Sequence, residues 1–153
     1  MSSRGHITPR DIPKGFQIYE DRLTPAGITF RRDDALAFAR SWMGWLEFEP
    51  EPGNKHDKNA IKVIGCTKGF FWTKKRFVGY VPKEVSANLV ARGFLSLVRP
   101  RLINTYVAED GYIEILFQIL GPKGRKQSSA GDRRNQLRAG SGLPRPAHGV
   151  DQV

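Results

Sequence analysis

Between Glu47 and Val63 the chain reads Glu-Phe-Glu-Pro-Glu-Pro-Gly-Asn-Lys-His-Asp-Lys-Asn-Ala-Ile-Lys-Val, and no helix can run through it. Pro50, Pro52 and Gly53 break one wherever it would start. On either side the apolar residues alternate, with Phe48 before the break and Ala60, Ile61 and Val63 after it. A period of two is that of a strand with one buried face. Asn54, Asp57 and Asn59 fall between, and Asn and Asp side chains bond back to their own backbone and tolerate left-handed geometry. The stretch is therefore predicted to be two strands joined by a rigid polar turn at a sheet edge or rim, and the fold has to be assembled around it.

Taken in order, Gly15–Tyr19 alternates as a short strand, and Gly27-Ile28-Thr29-Phe30 is a second strand candidate bounded by Pro25 and the Asp33-Asp34 pair. From Asp34 the period becomes helical: Leu36, Ala39, Trp42 and Met43 share a face, with Asp33 as N-cap, Gly44 as stop and Trp42 expected to pack inward. Trp45–Glu49 and Asn59–Gly65 are the strands around the turn. Phe77–Val81 is a strand ending at Pro82, which suits a helix start. Glu84 follows in the first turn, Val85, Leu89 and Val90 form the apolar face, and Gly93 is the stop. Phe94–Val107 alternates with an interruption at Pro100, which marks an edge position or a bulge. Glu109-Asp110-Gly111 is a hairpin turn. Tyr112–Leu120 closes the series, with Ile113, Ile115, Phe117 and Ile119 on one face. About six strands, two short helices and short hairpins predict an α+β, mostly β fold: a small six-stranded barrel or strongly curled sheet.

At 153 residues and 39% apolar content the chain supports one modest core with tails. The formal net charge is +10, which favours an anionic partner, nucleic acid ahead of membrane or acidic protein. Half of that excess lies in residues 121–153, where seven Lys/Arg face two Asp among six glycines and three prolines, with no aromatic. Such a segment cannot offset its ordering entropy by burial, so residues 121–153 are expected to be a disordered basic tail, residues 1–13 a flexible arm, and residues 14–120 the folded domain. The tail could hold a polyanion through salt-sensitive phosphate contacts, or serve solubility alone. Cys66 is the single cysteine, so neither an internal disulfide nor a thiolate metal site is available to it, and a reducing compartment fits. No signal-peptide core and no apolar run of transmembrane length is found, so the expectation is a cytoplasmic protein, nucleoid-associated if bacterial, without membrane contact.

The stretch Cys66-Thr67-Lys68-Gly69-Phe70-Phe71-Trp72-Thr73-Lys74-Lys75-Arg76 joins two strands and holds three consecutive aromatics and four cations. Successive residues of a strand point to opposite faces, so at least one ring is expected to be exposed. An exposed ring beside Lys or Arg is what single-stranded nucleic acid needs; covering a barrel end is the alternative use of Phe71 or Trp72.

Two separated motifs carry a resemblance. Glu51-Pro52-Gly53-Asn54-Lys55-His56-Asp57-Lys58-Asn59-Ala60-Ile61-Lys62-Val63, followed by Val78-Gly79-Tyr80-Val81-Pro82-Lys83-Glu84-Val85-Ser86-Ala87-Asn88-Leu89, resembles the HIRAN domain in residues and in order, over about residues 24–120. The resemblance implies an OB-like barrel that binds DNA, a module that stands alone in prokaryotes and phages and is fused to Swi/Snf-type translocases in eukaryotes. It implies capture of the 3′-hydroxyl end of single-stranded DNA in repair or replication-fork processing, with a helicase or nuclease as candidate partner protein and no cofactor. By position, Thr29, Phe30 and Arg31 match the strand lining the family's pocket, Asn54, His56, Asp57 and Lys58 its turn, and Tyr80 and Lys83 the facing strand end and helix start. His56 stands where the family usually has an aromatic, often Tyr, and the 66–76 hairpin is longer than the usual turn, so that it either extends the DNA path or blocks it.

The chemistry of those positions is coherent. An ionised Asp57 only accepts hydrogen bonds, whereas a terminal 3′-hydroxyl donates one. A phosphodiester at the same place would be repelled, so one carboxylate can select an end over the middle of a strand. Phe30 and Tyr80 are expected to sandwich the terminal base, and Arg31, Lys58 and Lys83 to hold phosphates. The alternative for Asp57 and Asn59 is that they only cap the turn. Two other functions stay open: a protein-recruitment module whose nucleic-acid affinity resides in the tail, and a metal-dependent nuclease using Glu47, Glu49, Glu51 and Asp57. No nucleophile–base constellation and no Walker loop is present, so the chain is not expected to be an enzyme.

Overall fold

A computed structural model describes residues 12–124. Six strands, two α-helices and one 3-10 turn follow in the order β1 (Phe16–Leu23), the turn Ile28–Arg31, α1 (Arg32–Arg40), β2 (Trp45–Pro50), β3 (Ile61–Lys68), β4 (Thr73–Tyr80), α2 (Lys83–Ala91), β5 (Arg99–Val107) and β6 (Ile113–Pro122). The strands form two antiparallel sheets of three, ordered β1-β6-β5 and β2-β3-β4. The mostly β, α+β expectation holds, but the ladders do not close into a barrel. The expected arm and tail lie outside the described residues, apart from residues 12–13 and 121–124.

The alternation of β6 has a direct cause. Ile113, Ile115, Phe117 and Ile119 all turn into the core, as expected. β6 is also the central strand of its sheet, with side chains of β1 and β5 flanking its other face. There Gln118 donates to Asp21 (2.8 Å) and accepts from Arg101 (3.0 Å), bracing β1 and β5 across it. Pro100 lies in β5, an edge strand, as the interruption predicted, opposite Ile119 of β6. The hairpin turn stands where it was expected: Gly111 takes φ +90° and Ala108 N–H meets the Tyr112 carbonyl.

Several expectations are corrected. Gly27–Phe30 is not a strand: Gly27 takes φ +78° and leads into the 3-10 turn, which runs straight into α1. Asp33 therefore sits inside the first turn of α1 with Asp34, favoured by the helix dipole rather than acting as a cap. α1 ends at Arg40, where Ser41 donates both its N–H and its hydroxyl to the Phe38 carbonyl, before Gly44 is reached. Its buried face is Ala35, Phe38 and Ala39. Trp42 lies past the helix end, so the helical period no longer aims it inward and it is 66% exposed. Gly44 and Gly65 instead make room for Phe38: a Cβ on either would stand 2.6 Å from its ring. In α2, Val85 and Leu89 are buried but Val90 is exposed. Of the Phe94–Val107 run, only Arg99–Val107 is strand; Phe94 is buried in the turn that follows α2.

Outside the two sheets, one isolated β-bridge is present among the described residues. Ala26, past the end of β1, exchanges both hydrogen bonds with Tyr80 at the end of β4, at 2.7 and 2.9 Å. This close approach depends on Gly79, where a Cβ would lie 2.7 Å from the Ala26 carbonyl oxygen and 2.8 Å from Pro25.

Candidate functional site

The polar turn after β2 is built by its own side chains. Asn54 Oδ1 accepts the N–H groups of His56 (2.9 Å) and Asp57 (3.0 Å), and Asp57 Oδ1 accepts that of Asn59 (2.9 Å). Backbone bonds from Glu51 N–H to Ala60, Asn54 N–H to Glu51 and Ala60 N–H to Asp57 close the loop. The capping role weighed for Asp57 is thus real, and it uses one carboxylate oxygen. Among the described residues Oδ2 of Asp57 has no hydrogen-bond donor assigned to it.

A second layer ties the turn to β4. Tyr80 donates its hydroxyl to Glu51 Oε2 at 2.8 Å, and Asn54 Nδ2 donates to the same carboxylate oxygen at 2.9 Å and to the Tyr80 oxygen at 3.3 Å. The Asn54 bond first, and then the Tyr80 bond, hold the Glu51 carboxylate below its ordinary range against the opposing effect of desolvation. The same Glu51 bond raises the Tyr80 phenol above its own. Lys62 stands 3.7 Å from Glu51. Behind Tyr80, Phe77 meets its ring edge-to-face at 5.0 Å, with the Arg31 guanidinium 4.1 Å and the Lys62 ammonium 5.2 Å from the Phe77 ring centre.

In front of this frame is a hollow of about 280 Å³ lined by Ala26, Asn54, His56, Asp57, Ala60, Tyr80, Val81 and Lys83. Five of the nine residues expected at the site, Asn54, His56, Asp57, Tyr80 and Lys83, therefore share one concavity. The other four do not line it. Arg31 is behind, on Phe77. Lys58 is exposed on the turn. Thr29 lines a separate cavity of about 310 Å³ with Thr24, Pro25, Gly27, Arg32 and Tyr112. Phe30, 88% exposed, stands beside Gly27 and lines neither cavity, so the expected sandwich with Tyr80 is not formed.

Glu51 and Phe77 belong to the site without having been expected there, although Glu51 lies within the 51–63 motif. Only the pairing of Ile61 and Lys62 with Pro50 and Tyr80 shows how the turn meets the end of β4. Three of the four acids considered as metal ligands have other partners: Glu47 bonds Lys75 at 2.9 Å, Glu49 stands 3.8 Å from Lys62, and Glu51 is held as above; among the described residues the Asp57 carboxylate keeps only its bond to Asn59 N–H. Among the described residues no group of three or more His, Cys, Asp or Glu is placed to hold a metal ion. No family model matches the chain, nor does any curated protein or solved structure.

Proposed function

We propose that the chain is a HIRAN-like module that holds the 3′-hydroxyl end of single-stranded DNA in the hollow between the polar turn and the end of β4. The observation that carries the reading is the convergence there of Asp57, His56, Asn54, Tyr80 and Lys83, from two segments more than twenty positions apart in sequence. Asp57 Oδ2 is the hydroxyl acceptor. The terminal base stacks between His56 and Tyr80, whose ring is fixed by Glu51 and Phe77. Lys83, at the first turn of α2 where the helix dipole adds positive potential, takes the adjoining phosphate. Thr29, in the second cavity, and the exposed Phe30 serve the strand as it leaves. The two sheets, stitched at Ala26–Tyr80, are compatible with an OB-like barrel left partly open. The role is binding in DNA repair or fork processing rather than catalysis, since the acids of β2 are held in ion pairs.

The test is fluorescence anisotropy on short oligonucleotides ending in a 3′-hydroxyl or a 3′-phosphate. The hydroxyl end is expected to bind at least about tenfold tighter, the equivalent of one charge-assisted bond. Equal affinity rejects end capture. Asp57→Asn isolates the chemistry from the fold, because an asparagine oxygen still accepts the Asn59 N–H while the charge is gone. This variant is expected to fold normally and to lose most of the discrimination. Incubation of labelled DNA with magnesium or manganese checks the binding role: time-dependent cleavage abolished by Asp57→Ala would make the chain a nuclease.

A further inference from the structure

The aromatic-basic hairpin does not block the hollow and is no part of its wall. The hollow lies where Pro50 pairs with Ile61 and Lys62 with Tyr80; the hairpin tip lies where Lys68 pairs with Thr73, at the opposite end of the same sheet. β4 spans eight residues, so the two features stand about 23 Å apart at ~3.3 Å per residue. At the tip, Gly69 N–H bonds to the Trp72 carbonyl at 2.8 Å and closes a four-residue loop over residues 69–72. Phe70, Phe71 and Trp72 are then 95%, 81% and 73% exposed, and cover no barrel end. Their ring centres are 5.0 Å apart for Phe70–Phe71 and 6.2 Å for Phe71–Trp72, so the rings touch each other while their outer faces stay in solvent. Trp42 and Met43, also exposed, precede β2 at this end, since Trp45 pairs with Cys66.

The charges around the rings say which partner fits. From Cys66 to Arg76 there is no acid. Lys75 is bound to Glu47 and Arg76 to Asp34. Lys68 and Lys74, both exposed, have no acidic partner among the described residues. Every large apolar side chain of the tip is a planar ring. We propose that this hairpin tip is a second contact for single-stranded nucleic acid, with bases stacked on Phe70, Phe71 and Trp72 and phosphates held by Lys68 and Lys74. β4, an edge strand carrying Lys74, Lys75, Arg76 and Phe77, joins it to the hollow. At ~3.4 Å per stacked nucleotide the separation corresponds to about seven nucleotides, fewer if the strand is stretched. The inference shares its ligand class with the proposed function but stands on a different site.

The test compares 3′-hydroxyl oligothymidylates of 4 and 16 nucleotides on the full chain, wild type against Phe70→Ser/Phe71→Ser/Trp72→Ser. The variant is expected to lose at least about fivefold in affinity for the 16-mer, the lower bound for one lost stacked base. It should be unchanged on the 4-mer and keep its preference for a 3′-hydroxyl over a 3′-phosphate. Trp72→Phe, which keeps a ring, should restore part of the loss relative to Trp72→Ser. Unchanged 16-mer affinity, or an equal loss on both lengths, overturns the proposal. So does unchanged 16-mer affinity with loss of binding to phosphatidylserine vesicles, which would make the tip a lipid contact. Lys68→Glu/Lys74→Glu provides the second variant and is expected to show the same length-dependent loss. If wild type shows no 3′-end preference but the tip variant still loses the 16-mer, end capture fails and the hairpin contact stands.

Discussion

Glu51 holds two side chains at once, and its charge is what makes that possible. Asn54 and Tyr80 both donate to one carboxylate oxygen, which keeps the acid below its ordinary 4.5 and the phenol above its ordinary 10.0. The sign follows from linkage. A carboxylate depressed in the folded state stabilises above 4.5 and loses that contribution as pH falls through its folded value. A phenol raised in the folded state contributes below 10.0 and loses it at higher pH. Glu51→Ala is therefore expected to lower the thermal midpoint relative to wild type at pH 6, with the gap narrowing as pH drops below 4.5. A gap that stays constant down to pH 3 would show that the ionised form is not what binds Tyr80. In oligonucleotide binding the same variant should lose about tenfold or more at pH 7 through a freed Tyr80 ring. Cys66 makes a separate prediction. Burial, with help from Glu47, pushes its thiol up to about 11. A disulfide reagent at pH 8 should leave it unlabelled in the native protein and label it fully in denaturant; fast native labelling would show that β3 opens readily.

At the scale of elements, the hairpin strands and the turn could be read from the residues because their signals are local. Period-two apolar runs, Gly111 at a turn and the Asn/Asp spacing each dictate structure within a few positions. Gly27–Phe30 misled for the same reason: apolar residues beside a Pro suggest a strand, but the Ala26–Tyr80 pairing and the start of α1 decide its path, and both depend on residues distant in sequence. Trp42 misled because the helix stops at Arg40 through the Ser41 cap, one turn before its apolar period runs out. At the site, the turn residues Asn54, His56 and Asp57 were legible, whereas the Glu51–Tyr80 bond and the Arg31–Phe77 stack were not, since each joins segments whose register only the folded sheet sets. Glycine gives the matching prediction. Gly79→Ala is expected to cost about 1–3 kcal/mol in chemical denaturation by driving Pro25–Ala26 off β4, and to weaken DNA binding beyond what stability explains. Gly65→Ala, pressed against Phe38, should cost a similar amount and leave binding by the folded fraction intact.

For the whole molecule, one core under two small sheets makes the central strand decisive. Phe117, fully buried on β6 and edge-on to Phe48 of the other sheet at 6.1 Å, joins the sheets through its ring. Phe117→Ala should cost about 3–5 kcal/mol, a large share of the stability of a domain this size, and be read as a cooperative loss in both sheets. No described helix is long and apolar enough to cross a membrane. Charge is distributed differently from the core: residues 125–153 alone hold six Lys/Arg. Removing them should reduce the slope of log affinity against log salt by at most about four, while the preference for a 3′-hydroxyl end persists. A preference lost with residues 125–153 would move recognition out of residues 12–124. The Ala26–Tyr80 pairing has a consequence in time as well as in space. Two hydrogen bonds at a seam between sheets are far easier to break than a ladder, so the amides of Ala26 and Tyr80 should exchange with deuterium together, and earlier than those of Ile64 or Ile115. A bound strand end would slow that pair first, making the seam a clock for occupancy.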